Sequence, residues 1–130
     1  MPQRVAEIAA DRFGQEVDVL DEPGTVKASG VPELLDELTR RQLPFTVLSN
    51  KPDEATRSVV GKLLGKWRFA VVRGALPGVA KKPDPAAALG IARELGIAPA
   101  SFLYLGDTGT DMRTATAAGM YPVGALWNQF

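Results

Sequence analysis

Apolar positions recur along this chain with two alternating periods. Over residues 3–13, Val5, Ile8, Ala9 and Phe13 fall at helical spacing and Gly14 interrupts the pattern, which predicts a helix. Residues 16–29 show neither period, and Pro23-Gly24 marks a turn within them. A helix is predicted over 31–41, opened by Pro32 and Glu33, with Leu34, Leu35 and Leu38 on its apolar face. From there, short β-type runs and helices take turns. Residues 44–48 read as a strand ending in Ser49-Asn50, and 53–64 as a helix turning Val59, Val60, Leu63 and Leu64 inward. Residues 69–72 read as a strand, followed by a loop rich in Gly and Pro. Asp84 is placed to cap the next helix, with Pro85 at its first position and Gly96 at its end. Residues 101–105 form a buried-type strand, 113–119 a short helix, and 121–126 a last strand.

Strands alternating with helices imply βα units, right-handed crossovers and a parallel sheet. The predicted fold class is therefore α/β, a Rossmann-like three-layer α/β/α arrangement. At 130 residues and 13.8 kDa the chain is long enough for one domain with a sizeable core. Its 15 basic and 15 acidic residues cancel without forming a block of either sign. That balance argues against a nucleic-acid or membrane partner, and no run is long and apolar enough to span a bilayer. No signal-type segment opens the chain, so a cytoplasmic location is expected.

Composition then restricts the chemistry. With no Cys and no His, thiolate or imidazole metal ligands, cysteine nucleophiles and Ser-His-Asp triads are all excluded. What remains is carboxylate, ammonium, hydroxyl and backbone amide, together with a hard cation. In a parallel sheet every strand ends on one edge, and ligands bind there. Ser49-Asn50 follow one strand, Asp107 follows another, Asp111 lies four residues on, and Lys82 stands in a loop leading back from that edge. Each has a plain structural alternative: a turn, a solvated lysine, a helix cap, or a carboxylate favouring a helix N-terminus. Together they form a set suited to phosphoryl chemistry. Magnesium prefers oxygen ligands, and a phosphoryl group in transfer needs positive charge around its oxygens.

Three stretches carry a more specific likeness. Leu48-Ser49-Asn50-Lys51-Pro52, Lys82-Pro83-Asp84-Pro85 and Gly106-Asp107-Thr108-Gly109-Thr110-Asp111 resemble the second, third and fourth motifs of the haloacid dehalogenase-like hydrolases, closest to the phosphoglycolate phosphatase-like branch. The likeness extends over roughly residues 28–127. It implies a magnesium-dependent phosphatase acting on a small phosphorylated metabolite through an aspartyl-phosphate. It further implies that Ser49 and the Asn50 backbone amide hold phosphoryl oxygens and that Lys82 neutralises nucleophile and phosphate. Asp107 would ligate Mg2+, and Asp111 would support both the metal shell and Lys82.

The family's first motif, Asp-x-Asp-Gly-Thr after an apolar central strand, has no clear counterpart here. On that basis residues 1–29 are expected to be the remnant of a helical cap with its return linker, and 30–130 an N-terminally incomplete core. Without the central strand, two apolar strand edges would lie bare and favour self-association. The chain would then be a truncated product, a gene fragment, or dependent on a partner for that strand. A rival reading takes Asp21-Glu22-Pro23-Gly24-Thr25-Val26 as a degenerate first motif, with Asp21 as nucleophile and Pro23 replacing the second Asp. Charged Glu16 and Asp18 in the preceding segment weigh against it. Two further readings compete. One is a catalytically inactive fragment or phosphate-binding module. The other is a phospho-receiver domain, disfavoured because its lysine follows the last core strand whereas Lys82 precedes Asp107.

Overall fold

The computed structural model describes residues 5–9 and 31–124. Five strands form one parallel sheet: β1 (Val5–Ala9), β2 (Phe45–Pro52), β3 (Val71–Ala75), β4 (Phe102–Gly106) and β5 (Tyr121–Gly124), in the order β3-β2-β1-β4-β5. Among the described residues, four α-helices cover it: α1 (Val31–Arg40), α2 (Asp53–Leu64), α3 (Ala86–Leu95) and α4 (Gly109–Ala118). This is the expected three-layer α/β/α architecture.

The side chains sort by face because strand residues alternate in direction. Phe45 and Val47 of β2 join Val31, Leu35, Leu38, Val60 and Leu64 from α1 and α2 in one cluster. Leu48, Phe102 and Tyr104 turn the other way and pack with Ala88 and Ile91 of α3 and Ala115 of α4. Val59 and Leu63 are only partly buried, at the margin of the first cluster. Trp67 packs there too and donates its indole N–H to Asp36 Oδ1 at 2.8 Å. Trp127 lies outside the described residues.

The largest departure from expectation is β1. The helix predicted over 3–13 is not present at Val5–Ala9, which is instead the central strand. Ala6, Glu7, Ile8 and Ala9 pair with Phe45, Thr46, Val47 and Leu48 on one side, while Val5 to Ile8 pair with Phe102 to Leu105 on the other. Five residues are too few for periodicity to separate helix from strand. The decision is tertiary: β2 and β4 each present a row of backbone donors and acceptors that a strand satisfies and a helix does not. The bare central edges inferred from the sequence are therefore filled, which removes the ground for self-association through them. Among the described residues the outer edges are β3 and β5, and Pro122 deprives β5 of one donor, as suits an edge.

Smaller shifts have local causes. β3 begins two residues later than predicted, because Phe69 is used as packing, its ring set edge-on to Phe45 at 4.9 Å and 89°. β5 is described to Gly124. The helix starting at Asp84-Pro85 begins one residue further on, at Ala86, whose N–H is accepted by Asp84 Oδ1 at 2.9 Å. Gly96 and Gly119 end α3 and α4 with φ of 67° and 76°, the left-handed stop that glycine supplies without strain. α4 starts at Gly109 rather than near Arg113, so Asp111 lies inside its first turn.

β2 and β3 are tied together beside the rim by Asp53. Its Oδ1 accepts the Gly74 N–H at 2.8 Å and its Oδ2 binds Arg57 Nε at 2.7 Å. Gly74 has no room for a side chain, since a Cβ would lie 2.5 Å from Lys51 O and 2.6 Å from Asp53 Cα. The Arg57 hydrogen bond, then the Gly74 N–H, hold the Asp53 carboxyl below its ordinary value of 3.8. A depressed folded-state value means that its contribution to stability is complete above the unfolded value and is lost as pH falls through the folded one. Asp53→Ala is thus expected to destabilise the protein at pH 7. NMR titration of the wild-type side chain should give a midpoint below 3.8; a midpoint at or above it would overturn the assignment.

Candidate active site

The C-terminal ends of β1, β2 and β4 lie side by side, and the sequence-predicted site residues gather there. Leu48, in register with Ala9, is followed by Ser49; Leu105, in register with Ile8, is followed by Gly106 and Asp107. β2 does not stop at Leu48 as expected but runs irregularly to Pro52. Its pairing advances four residues from Leu48 to Pro52 while β3 advances two, from Arg73 to Ala75. Extra residues on one strand bend it and re-aim its side chains. Ser49 and Asn50 sit in that bulge. Ser49 is 1% exposed, and its Oγ accepts the Lys51 N–H at 3.0 Å.

Lys82 and Asp111 form the centre of the site. Lys82 Nζ lies 2.9 Å from Asp111 Oδ1, and both side chains are 1% exposed. The other oxygen, Asp111 Oδ2, accepts the Thr108 hydroxyl at 2.9 Å and the Asp107 N–H at 3.3 Å. Thr108 in turn accepts the Asp111 N–H at 3.2 Å as the cap of α4. The Thr-x-x-Asp spacing is a variant of the capping box, so the α4 N-terminus itself builds the carboxylate's seat. Gly106 completes the seat by having no side chain.

Asn50 enters the site in an unexpected way. Its Oδ1 accepts the Lys82 N–H at 3.0 Å and its Nδ2 donates to the Lys82 carbonyl at 3.2 Å. A small recess lies alongside, walled in part by Ser49, Asn50, Leu76, Val79 and Lys82. Ser49, Asn50, Lys82, Asp111 and Asp107 are thus linked by chain adjacency and hydrogen bonds into one unit. Sequence reasoning missed Thr108, Gly106 and the Asn50 side chain. Only the first had a legible local signal, its spacing from Asp111.

The donor set suits a hard divalent cation. Among the described residues no group of three or more acidic side chains is present that could enclose a metal alone. Magnesium does not need one, because it commonly takes one or two carboxylates and completes its shell with water and substrate phosphate. Asp111, with both oxygens already engaged, fits a supporting position, and the half-buried Asp107 fits the direct one.

The chain resembles proteins of one kind over most of its length. A family model described as haloacid dehalogenase-like hydrolase matches residues 3–119. The phosphoglycolate phosphatase of Escherichia coli is 34% identical over 117 residues, covering 90% of this chain and 45% of that protein. A crystal structure from Lactobacillus delbrueckii, assigned as a candidate phosphoglycolate phosphatase, superposes with a TM-score of 0.68 at 29% identity, over 73% of this chain and 39% of the other. A HAD-superfamily hydrolase from Geobacter sulfurreducens shares the fold, with a TM-score of 0.71 at 19% identity over 94% and 89% of the two chains. The chain spans less than half the length of the curated relatives it matches. From its family match, its fold and its rim of Ser49, Lys82, Asp107 and Asp111, the chain belongs to the haloacid dehalogenase-like hydrolases.

Proposed function

We propose that the chain carries the core of a magnesium-dependent phosphomonoester hydrolase of the phosphoglycolate phosphatase kind. It would act in the cytoplasm on a small phosphorylated metabolite. The observation that carries this reading is the buried Lys82–Asp111 pair at the strand-end rim. A buried ion pair rarely improves stability over apolar packing, so its presence at a ligand-binding edge favours a role in chemistry. There the Ser49 hydroxyl and the Asn50 backbone N–H donate to the phosphoryl oxygens, and the Lys82 ammonium offsets their charge. Mg2+ held by Asp107, with Asp111 in support, would add electrostatic stabilisation of the transferring group.

The reaction needs a carboxylate to attack phosphorus as the ester P–O bond breaks and the alcohol leaves. Water then hydrolyses the acyl phosphate and restores the carboxylate. Two residues outside the described range are candidates. Asp11 is the first carboxylate in the chain after β1, and Asp21 belongs to the degenerate first motif. An assay with a chromogenic phosphomonoester and Mg2+ tests both. Removing the nucleophile by Asp11→Asn or Asp21→Asn is expected to lower kcat by more than about 10³-fold. Pro23, where the first motif has its second Asp, favours the alternative of an inactive phosphate-binding module. Absence of turnover from the folded protein would select that alternative.

A further inference from the structure

Lys82 is the only buried residue in an otherwise exposed stretch. Residues 76–81 are exposed, as are Pro83 and Asp84, while Lys82 is 5% exposed. Among the described residues, the backbone bonds of 76–84 outside helices and strands include Val79 N–H to Leu76 O and Asp84 N–H to Lys81 O, both local turns. Neither ties Lys82 to the sheet. The ammonium is held by Asp111 from α4. The main chain is held by Asn50, from β2, across 32 residues of sequence.

We propose that the Asn50 side chain is a positioning residue that sets the Lys82 ammonium for phosphate binding. A carboxamide presents one donor and one acceptor side by side. The amide N–H and carbonyl of Lys82 meet that pair at 3.0 and 3.2 Å, so both polar groups of one buried residue are satisfied by one planar group. The β2 bulge is what turns Asn50 toward the loop. Lys82 is thereby fixed at both ends, by Asn50 at its main chain and by Asp111 at its ammonium. A long lysine stem fixed only at its tip would leave the exposed loop free to carry it away from the rim. This role is distinct from that of the Asn50 backbone amide, which Asn50→Ala leaves in place. It rests on the phosphate-binding reading of the rim for its purpose, but the clamp can be tested separately.

Amide hydrogen exchange and inorganic phosphate titration, followed by NMR on the full chain, separate the possibilities. In Asn50→Ala, exchange of the Lys82 amide should rise about tenfold beyond any change at Val47 in the β2 core. The dissociation constant for inorganic phosphate should weaken by about the same factor. Asn50→Asp keeps an acceptor for the Lys82 N–H and lacks the donor to its carbonyl, so it should recover part of the Lys82 protection. Uniformly raised exchange across the sheet would assign Asn50 a merely structural role and overturn the proposal. Weakened phosphate binding with Lys82 exchange unchanged would also overturn it, because Asn50 would then act on the ion directly. If the wild type binds no phosphate, the functional reading fails. The exchange data still decide whether Asn50 clamps Lys82.

Discussion

Replacing Lys82 with methionine should destabilise the protein by about 3–5 kcal/mol at pH 7, the cost of leaving one member of a buried ion pair without its partner. The stem of lysine is close to methionine in volume, so little packing is lost and the effect isolates the charge. Asp111, 1% exposed, would keep only the Thr108 hydroxyl and the Asp107 N–H as donors. Asp111→Asn should also be costly, since its amide would face either the Lys82 ammonium or the Thr108 and Asp107 donors. The informative variant is the double one. Lys82→Met with Asp111→Asn removes both charges and should cost less than the sum of the single changes by about 2 kcal/mol. Urea denaturation of the four proteins measures the cycle. A Lys82→Met cost under about 1 kcal/mol would be typical of a solvent-screened surface pair and would refute the burial of Lys82 against Asp111. Exposed pairs such as Arg73–Glu94, where the glutamate side chain is 52% exposed, supply the comparison within the same molecule.

The pairing of Lys82 with Asp111 was implied by the family resemblance, and their meeting at one rim by topology. Once the chain reads as parallel βα units, all strand ends share one edge, and short motifs after strands must meet there. Ser49, Lys82, Asp107 and Asp111 were legible for that reason. So were α2, whose bounds match, and the glycine stops at Gly96 and Gly119. What escaped was everything decided between distant segments. β1 is a strand because β2 and β4 flank it, and its own five residues fit a helix equally well. Its backbone pairing overrides the helical spacing of Val5, Ile8 and Ala9. The bulge in β2 depends on the path of Gly74, and the Asn50 clamp spans 32 residues. No local pattern encodes either.

Gly106 provides the second large effect, and it probes geometry rather than charge. A Cβ at this position would lie 2.3 Å from Asp111 Cβ, 2.7 Å from its Cγ and 2.8 Å from its Oδ2. A flexible side-chain tip could swing aside, but the nearest atom is fixed to the first turn of α4. Gly106→Ala must therefore push that turn away from β4, stretching the Thr108, Asp107 and Lys82 contacts to Asp111 together. The expected cost is about 3 kcal/mol, at the upper end of overpacking in a tight interior. Inorganic phosphate binding should fall with it. Gly109, three residues on, provides the control. It lies at the start of α4, and the nearest atom to its Cβ would be Arg113 Nη1 at 3.5 Å, an ordinary contact. Gly109→Ala should be neutral or stabilising by up to about 1 kcal/mol, because alanine loses less backbone freedom on entering a helix. Opposite signs in chemical denaturation would locate the constraint in the Asp111 seat. Equal losses at both positions would show instead that the whole β4–α4 corner rejects side chains, and the close approach of Gly106 to Asp111 would then have no special part in holding the site.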